Sequence, residues 1–251
     1  MAGHSKWANI KHKKAREDAK KGKVWSKCAR AIMAAARQGG GNPETNLALR
    51  YALEEAKAAN MPKDTRENAI RKATGEAGGA AFEQAVYEGY GPAGVAILLD
   101  ILTDNRNRTA SEVRKLFERH GGNLGESGCV AYLFTSRGQI FVGKDGPGES
   151  EEAVMDAALE AGADDVSDEG EAWQVLTEPG RLLAVREALE AGGLTVMSAS
   201  VTMLPETTMA VSGAEAARVI ALVDALEDHD DVQKVYANFE IPDEELAALE
   251  A

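Results

Sequence analysis

The chain has 251 residues, 44% hydrophobic and 27% charged, with 28 Lys and Arg against 41 Asp and Glu for a formal net charge of −13. This hydrophobic fraction excludes general disorder, and apolar runs about as long as VAILL (95–99) fall far short of a membrane span. At roughly 100–200 residues per domain, the length predicts two or three domains.

The charge is divided along the chain. Residues 1–37 carry 11 Lys and Arg against only Glu17 and Asp18, which leaves 17 basic and 39 acidic residues over 38–251. Such a division predicts that the two parts meet different partners. The basic N-terminus is not followed by an apolar segment, so it does not read as a secretory signal. Cys28 and Cys129 lie far apart with no CxxC or His-rich neighbourhood, and read as small buried side chains in a reducing compartment. The expectation is a cytoplasmic protein that makes no use of a membrane.

Residues 1–21 are polar and lack a 3.6-residue stripe, which predicts an arm or a loosely held helix. From 23 to 38, Trp25, Cys28, Ala29, Ile32, Ala35 and Ala36 line one face of an amphipathic helix. Asn42 and Pro43 read as the cap and first position of a second helix, which stops at Asn60–Met61–Pro62. Asp64 and Glu67 give a D-x-x-E start for a third helix, closed by Gly75. Strands are then expected at 85–91 and 95–103, a helix at about 109–119, and strands at 128–134 and 138–143. A helix at 150–161 is followed by strands near DDVSD and AWQVLT, a helix at 180–191 and a strand at 194–204. A helix at 214–228, a strand at 232–241 and a short acidic helix complete the chain.

The order β-α-β-β-α-β over 138–204 is that of a split βαβ, ferredoxin-like unit. Segments 82–134 and 206–242 supply a second β-β-α-β…α-β set. The expected fold is therefore multidomain α+β, with an N-terminal three-helix domain followed by two ferredoxin-like domains, one inserted in the other. The expected division is 1–78, 79–135 plus 206–251, and an acidic insert at 136–205.

Enzymatic signatures are weak. GYGPAG (89–94) matches the letters of G-x-G-x-x-G, but Pro92 interrupts it and an apolar strand follows, so a tight turn is the better reading than a dinucleotide site. His4, His12, His120 and His229 have no metal-binding spacing; His120 and His229 read as helix ends, the latter within the solvated run EDHDD. No Ser, Cys or Lys has a nucleophile's local pattern. The expectation is a non-enzyme with no metal and no cofactor.

The N-terminal cations carry the sharper reading. Lys6, Lys11, Lys13, Lys14, Arg16, Lys20, Lys21, Lys23 and Lys27 are dense point charges interleaved with Trp7 and His12. Phosphates are the matching counter-charge, and Trp7 offers a face for stacking on an unpaired base. The competing reading is a solubilising tail, or one that folds against the chain's own acidic surface. A second candidate is the turn at 103–114, where Thr109 and Glu112 are placed as a capping box. There Asn105, Arg106, Asn107 and Arg108 flank a helix N-terminus, whose free N–H groups favour anions. This turn reads equally well as a contact for a nucleic-acid backbone and as a capped loop with Arg–carboxylate pairs. Residues 149–171 hold 10 acidic residues and no basic one, a lobe suited to solvent or to basic ribosomal proteins.

At MAGHSKWANIKHKKA, GGGNPETNLALR, MPKDTRENAIRKATG, YEGYGPAGVAI, TDNRNRTASEVR and GGNLGESGCVAYLF the sequence closely resembles the YebC family over essentially its full length. Ala31 stands where the family's motif has an acidic residue, which removes one surface charge from the first helix. The resemblance implies an N-terminal helical domain with two α+β domains. It also implies a DNA-binding transcriptional regulator, with a ribosome-associated translation factor binding ribosomal RNA as the alternative.

Overall fold

The computed structural model describes residues 18–75, 82–144 and 150–242. Three helices come first: α1 (Asp18–Gly39), α2 (Leu47–Ala58) and α3 (Lys63–Thr74). They bury Ile32, Ala35 and Ala36 of α1 against Leu49, Ala52 and Ala56 of α2 and Ala69 of α3. The small side chains let the helices approach closely, and the Trp25 indole N–H closes the bundle by donating to Ala59 O at 3.0 Å.

The helix starts differ from the expected ones. Asn42 does not cap α2: it organises a preceding turn by accepting from Glu44 N at 3.0 Å. The cap is Asn46, whose Oδ1 accepts from Leu49 N while its Nδ2 donates to Ala35 O and Gly40 O. α3 opens directly after Pro62 with no side-chain cap, so Asp64 contributes only its charge in the first turn.

The next strands are β1 (Glu83–Tyr90) and β2 (Ala96–Thr103), followed by α4 (Arg106–Arg119) and a two-residue β3 (Asn123–Leu124). The chain then passes through β4 (Phe134–Gly143), α5 (Glu151–Ala161), β5 (Asp165–Asp168), β6 (Ala172–Thr177), α6 (Leu182–Ala191) and β7 (Val196–Pro205). It ends with β8 (Met209–Ala210), α7 (Gly213–Glu227), β9 (Val232–Ala237) and β10 (Phe239–Glu240). The first sheet has strand order β3-β1-β2-β9 and the second β5-β6-β4-β7, with every pairing within both antiparallel. The second order is that of a split βαβ unit, with α5 and α6 covering one face. Because β4 to β7 lie between β3 and β8 in sequence, one α+β unit is inserted in the other. β8 and β10 form a separate parallel pair.

β2 is buried on both faces. Ile97, Leu99 and Ile101 meet Val113 and Phe117 of α4 and Val219, Leu222 and Leu226 of α7. Ala96 and Leu98 meet Val130, Phe134 and Tyr236 on the other side. The GYGPAG segment is a turn between β1 and β2, with Ala93 at φ 58 and Gly94 at φ 81.

The expected strand at 128–134 is absent. That stretch is a loop ending in a 3-10 turn at Ala131–Leu133, and the carboxylate of Glu88 explains why. Glu88 is 4% exposed and accepts from Gly128 N at 2.6 Å, Val130 N at 2.8 Å and Ala131 N at 2.7 Å. The backbone donors that a strand would spend on a neighbour go to this side chain instead. The expected strand 232–241 is also broken, because Asn238 Oδ1 accepts from Ala96 N at 2.8 Å and turns the chain toward β8. The acidic end from residue 243 and the boundary near 77–81 lie outside the described residues.

Burial alone would push the Glu88 carboxyl up, but its three N–H donors outweigh burial and hold it below the ordinary carboxylate value. Its contribution to stability is therefore complete above pH ~4.5 and is lost as pH falls below that. Glu88→Gln should destabilise the protein by about 2–4 kcal/mol at neutral pH and flatten part of this acid limb. Chemical denaturation of both proteins between pH 3 and 7 checks it.

Candidate nucleic-acid interface

Lys6, Trp7, Lys11, His12, Lys13, Lys14 and Arg16 lie outside the described residues, while Lys20 and Lys21 fall within α1 with their side chains outside them. The described part of the basic segment begins at Lys23, and its cations face the C-terminal end of α7. Lys23 Nζ lies 3.3 Å from Asp228 Oδ1, and half-buried Lys27 donates to Glu227 O at 2.5 Å. Arg30 Nη1 donates to Asp230 O at 2.8 Å and Asp231 Oδ1 at 2.9 Å, with its guanidinium 5.7 Å from the Phe82 ring centroid. Carbonyls at a helix C-terminus carry partial negative charge, so three cations at i, i+4 and i+7 of α1 form a ladder along it. Burial lowers the Lys27 ammonium pKa despite the surrounding carboxylates.

Asp231 is where these elements join. It is 5% exposed, and its Oδ2 accepts from Thr109 Oγ1 at 2.7 Å, Thr103 Oγ1 at 3.0 Å and Arg108 Nη2 at 3.1 Å. Burial would raise its carboxyl, yet Thr109, Arg108 and Thr103 together hold it below the ordinary range. One carboxylate thus links the end of β2, the start of α4, the start of β9 and the middle of α1.

The 105–108 turn takes its form from this arrangement. The helix cap is Asn105, whose Oδ1 accepts from Arg108 N at 3.1 Å; Thr109 lies inside the helix with its hydroxyl on Asp231, so the Thr109–Glu112 capping box does not form. Arg108 is held by Asp104 at 2.8 Å and by Asp231. Arg106 is exposed and offers its carbonyl to Tyr87 OH at 2.9 Å, and Asn107 is exposed beside it. Of the two arginines, Arg108 is engaged within the chain and Arg106 faces solvent.

His229 completes the turn after α7. Its Nδ1 accepts from Asp231 N at 3.1 Å, which leaves the proton on Nε2 to donate to Glu112 Oε2 at 3.0 Å. EDHDD is therefore the bonded junction between α1, α4 and α7. Sequence reasoning missed this, although several carboxylates at a helix C-terminus oppose the helix dipole and call for cations from elsewhere. It also missed the joint on α2: Lys234 of β9 bonds Glu55 Oε1 at 2.5 Å and Val201 O of β7 at 3.2 Å, tying all three parts together. Arg186–Glu54 at 2.9 Å and Tyr51 OH to Pro179 O at 2.7 Å fasten the helical part to the inserted unit. Cys28 and Cys129 are free and half-buried, and burial pushes the Cys28 thiol up to about 11.

The TACO1/YebC protein N-terminal domain matches residues 5–76, and the TACO1/YebC second and third domain matches residues 82–239. The chain belongs to the TACO1/YebC family. Family relatives named "probable transcriptional regulatory protein" include one from Moorella thermoacetica, 55% identical over 96% of both chains. Another, from Pelotomaculum thermopropionicum, is 53% identical over 97% of this chain and all of its own. The crystal structure of a conserved hypothetical protein from Aquifex aeolicus superposes with a TM-score of 0.80 at 49% identity, covering 90% of this chain and 93% of that one. Among the described residues of this family member, no helix is long and apolar enough to cross a membrane.

Asp231→Ala would remove the buried acceptor shared by Arg30, Arg108, Thr103 and Thr109, although Arg108 keeps Asp104 and Arg30 keeps Asp230 O. A loss of about 3 kcal/mol in chemical denaturation is expected, against less than about 0.5 kcal/mol for Arg106→Ala.

Proposed function

We propose that this chain is a non-enzymatic, cytoplasmic regulator of gene expression that binds nucleic acid through its N-terminal cations, as a DNA-binding transcriptional regulator. One observation carries the reading. The first 75 residues hold 17 Lys and Arg against 7 Asp and Glu, the reverse of the balance in the rest of the chain. Within that excess, Lys23, Lys27 and Arg30 are committed to the turn after α7, and the seven cations before Lys23 form the densest remaining group for phosphate. The naming of the relatives as regulators agrees with a nucleic-acid partner.

A second reading, a translation factor bound to ribosomal RNA, is favoured by the character of the same cations. Six of the seven before Lys23 are lysines. Lysines of this kind contact backbone and carry little base-reading geometry, so they suit a structured RNA as well as a promoter. The acidic stretch 149–171 would then face basic ribosomal proteins.

Binding to a duplex DNA and to a structured RNA, followed by fluorescence anisotropy between 50 and 200 mM salt, should give log K falling against log[salt] with a slope of about −4 to −6. Lys11→Glu with Lys13→Glu and Lys14→Glu should flatten that slope by about 2–3 and leave the thermal transition in place. Unchanged binding would remove the arm from the interface. Sedimentation of a lysate with and without RNase separates the two readings: RNase-sensitive travel with ribosomes supports the translation factor.

A further inference from the structure

Residues 76–251 hold 11 Lys and Arg against 34 Asp and Glu, and five of those 11 lie in the 14 residues of α4. Chance scatter over an acidic body does not favour such a concentration. α4 turns Thr109, Val113 and Phe117 into the core, which fixes its rotation. Arg108, Lys115 and Arg119 stand at i, i+7 and i+11, so they form one outward stripe. Lys115 and Arg119 are exposed and have no hydrogen-bond or ion-pair partner among the described residues. The acidic residue within the stripe, Glu112, accepts from His229 Nε2 and keeps its charge, so the stripe carries one anion among its cations.

The stripe is continuous with the basic segment of α1. Arg108 and Arg30 bond to the two oxygens of the same buried carboxylate, Asp231, so α4 meets α1 there. Glu112, Lys115, Leu116, Arg119 and His229 line a depression of about 250 Å3 beside the turn on which α1 is moored. An extended polyanion held by the N-terminal cations therefore has a second row of unpaired cations on an adjoining element.

We propose that the outward stripe of α4, through Lys115 and Arg119, is a second phosphate-binding track for the same nucleic acid that the N-terminal arm holds. This rests on the nucleic-acid reading above and moves the second contact from the 105–108 turn, where Arg108 is engaged by Asp104 and Asp231, to the middle and end of the helix. The track contacts backbone only, so it adds affinity and orientation without sequence preference.

The test uses the full chain and two variants of equal charge change. One is Lys115→Gln with Arg119→Gln, on the stripe. The other is Arg114→Gln with Arg218→Gln, exposed cations off the stripe on α4 and α7. The probes are a 30-base-pair duplex DNA and a hairpin RNA, with log K measured against log[salt]. The stripe variant should lose at least about tenfold in affinity at 50 mM salt, with a slope flatter by about 1–2, and the off-stripe variant should match the parent. Equal behaviour of the two variants, whether both weakened or both unchanged, overturns the track while leaving arm-mediated binding intact. A parent that binds neither probe overturns the nucleic-acid reading and the track with it. Circular dichroism melting confirms that Lys115→Gln with Arg119→Gln is folded; if it is not, Lys115→Met with Arg119→Met repeats the test with the aliphatic stems preserved.

Discussion

The carboxylate of Asp231 is the constraint on which the rest of this structure depends. A buried charge is costly unless hydrogen bonds and opposite charge surround it. Here the surroundings come from four donors on three separate stretches of chain: Thr103 at the end of β2, Arg108 and Thr109 at the start of α4, and Arg30 on α1. None of these donors is a sequence neighbour of Asp231, so satisfying it requires the helical part and the first sheet to be in place together. The same requirement explains the start of α4. Asn105 must take the cap because the hydroxyl of Thr109 is already committed.

This arrangement divides the basic segment into two populations. Lys23, Lys27 and Arg30 neutralise the carbonyls and carboxylates after α7, and burial of Lys27 makes that contact more than a solvated surface pairing. The folded-back reading of the basic tail thus holds for Lys23, Lys27 and Arg30 of α1. The phosphate-binding reading is thereby narrowed to the cations before Lys23, which lie outside these contacts.

Periodicity made most of the fold legible. The α1 face from Trp25 to Ala36 and the β-α-β-β-α-β order over 138–204 follow from patterns of 3.6 and 2 residues, and both elements recur in the structure. The failures share one cause. At Asn46, Glu88, Thr109 and Asn238 a polar side chain bonds backbone or side chains distant in sequence, and this decides where an element starts or stops. Residues 128–134 have the composition of a strand, and no local feature reveals that Glu88, 40 residues earlier, takes the N–H of Gly128. Arg106 and Arg108 were indistinguishable in sequence for a similar reason: their difference is the position of Asp231.

A net charge of −13 is no obstacle to holding a polyanion. At physiological ionic strength the Debye length is about 8 Å, so a phosphate responds to the cations within that distance and scarcely to an acidic stretch beyond it. The nine acidic residues of 151–171 belong to the inserted unit, whereas α1, α4 and the turn after α7 belong to the other two. Both α+β units are acidic, and the basic excess is local to the first 75 residues and to α4. As salt is lowered and the screening length grows to about 30 Å at 0.01 M, the acidic surface would begin to oppose any phosphates that the arm holds. Curvature in the salt dependence at the dilute end would then report this long-range repulsion, and the linear region at higher salt the number of phosphates held.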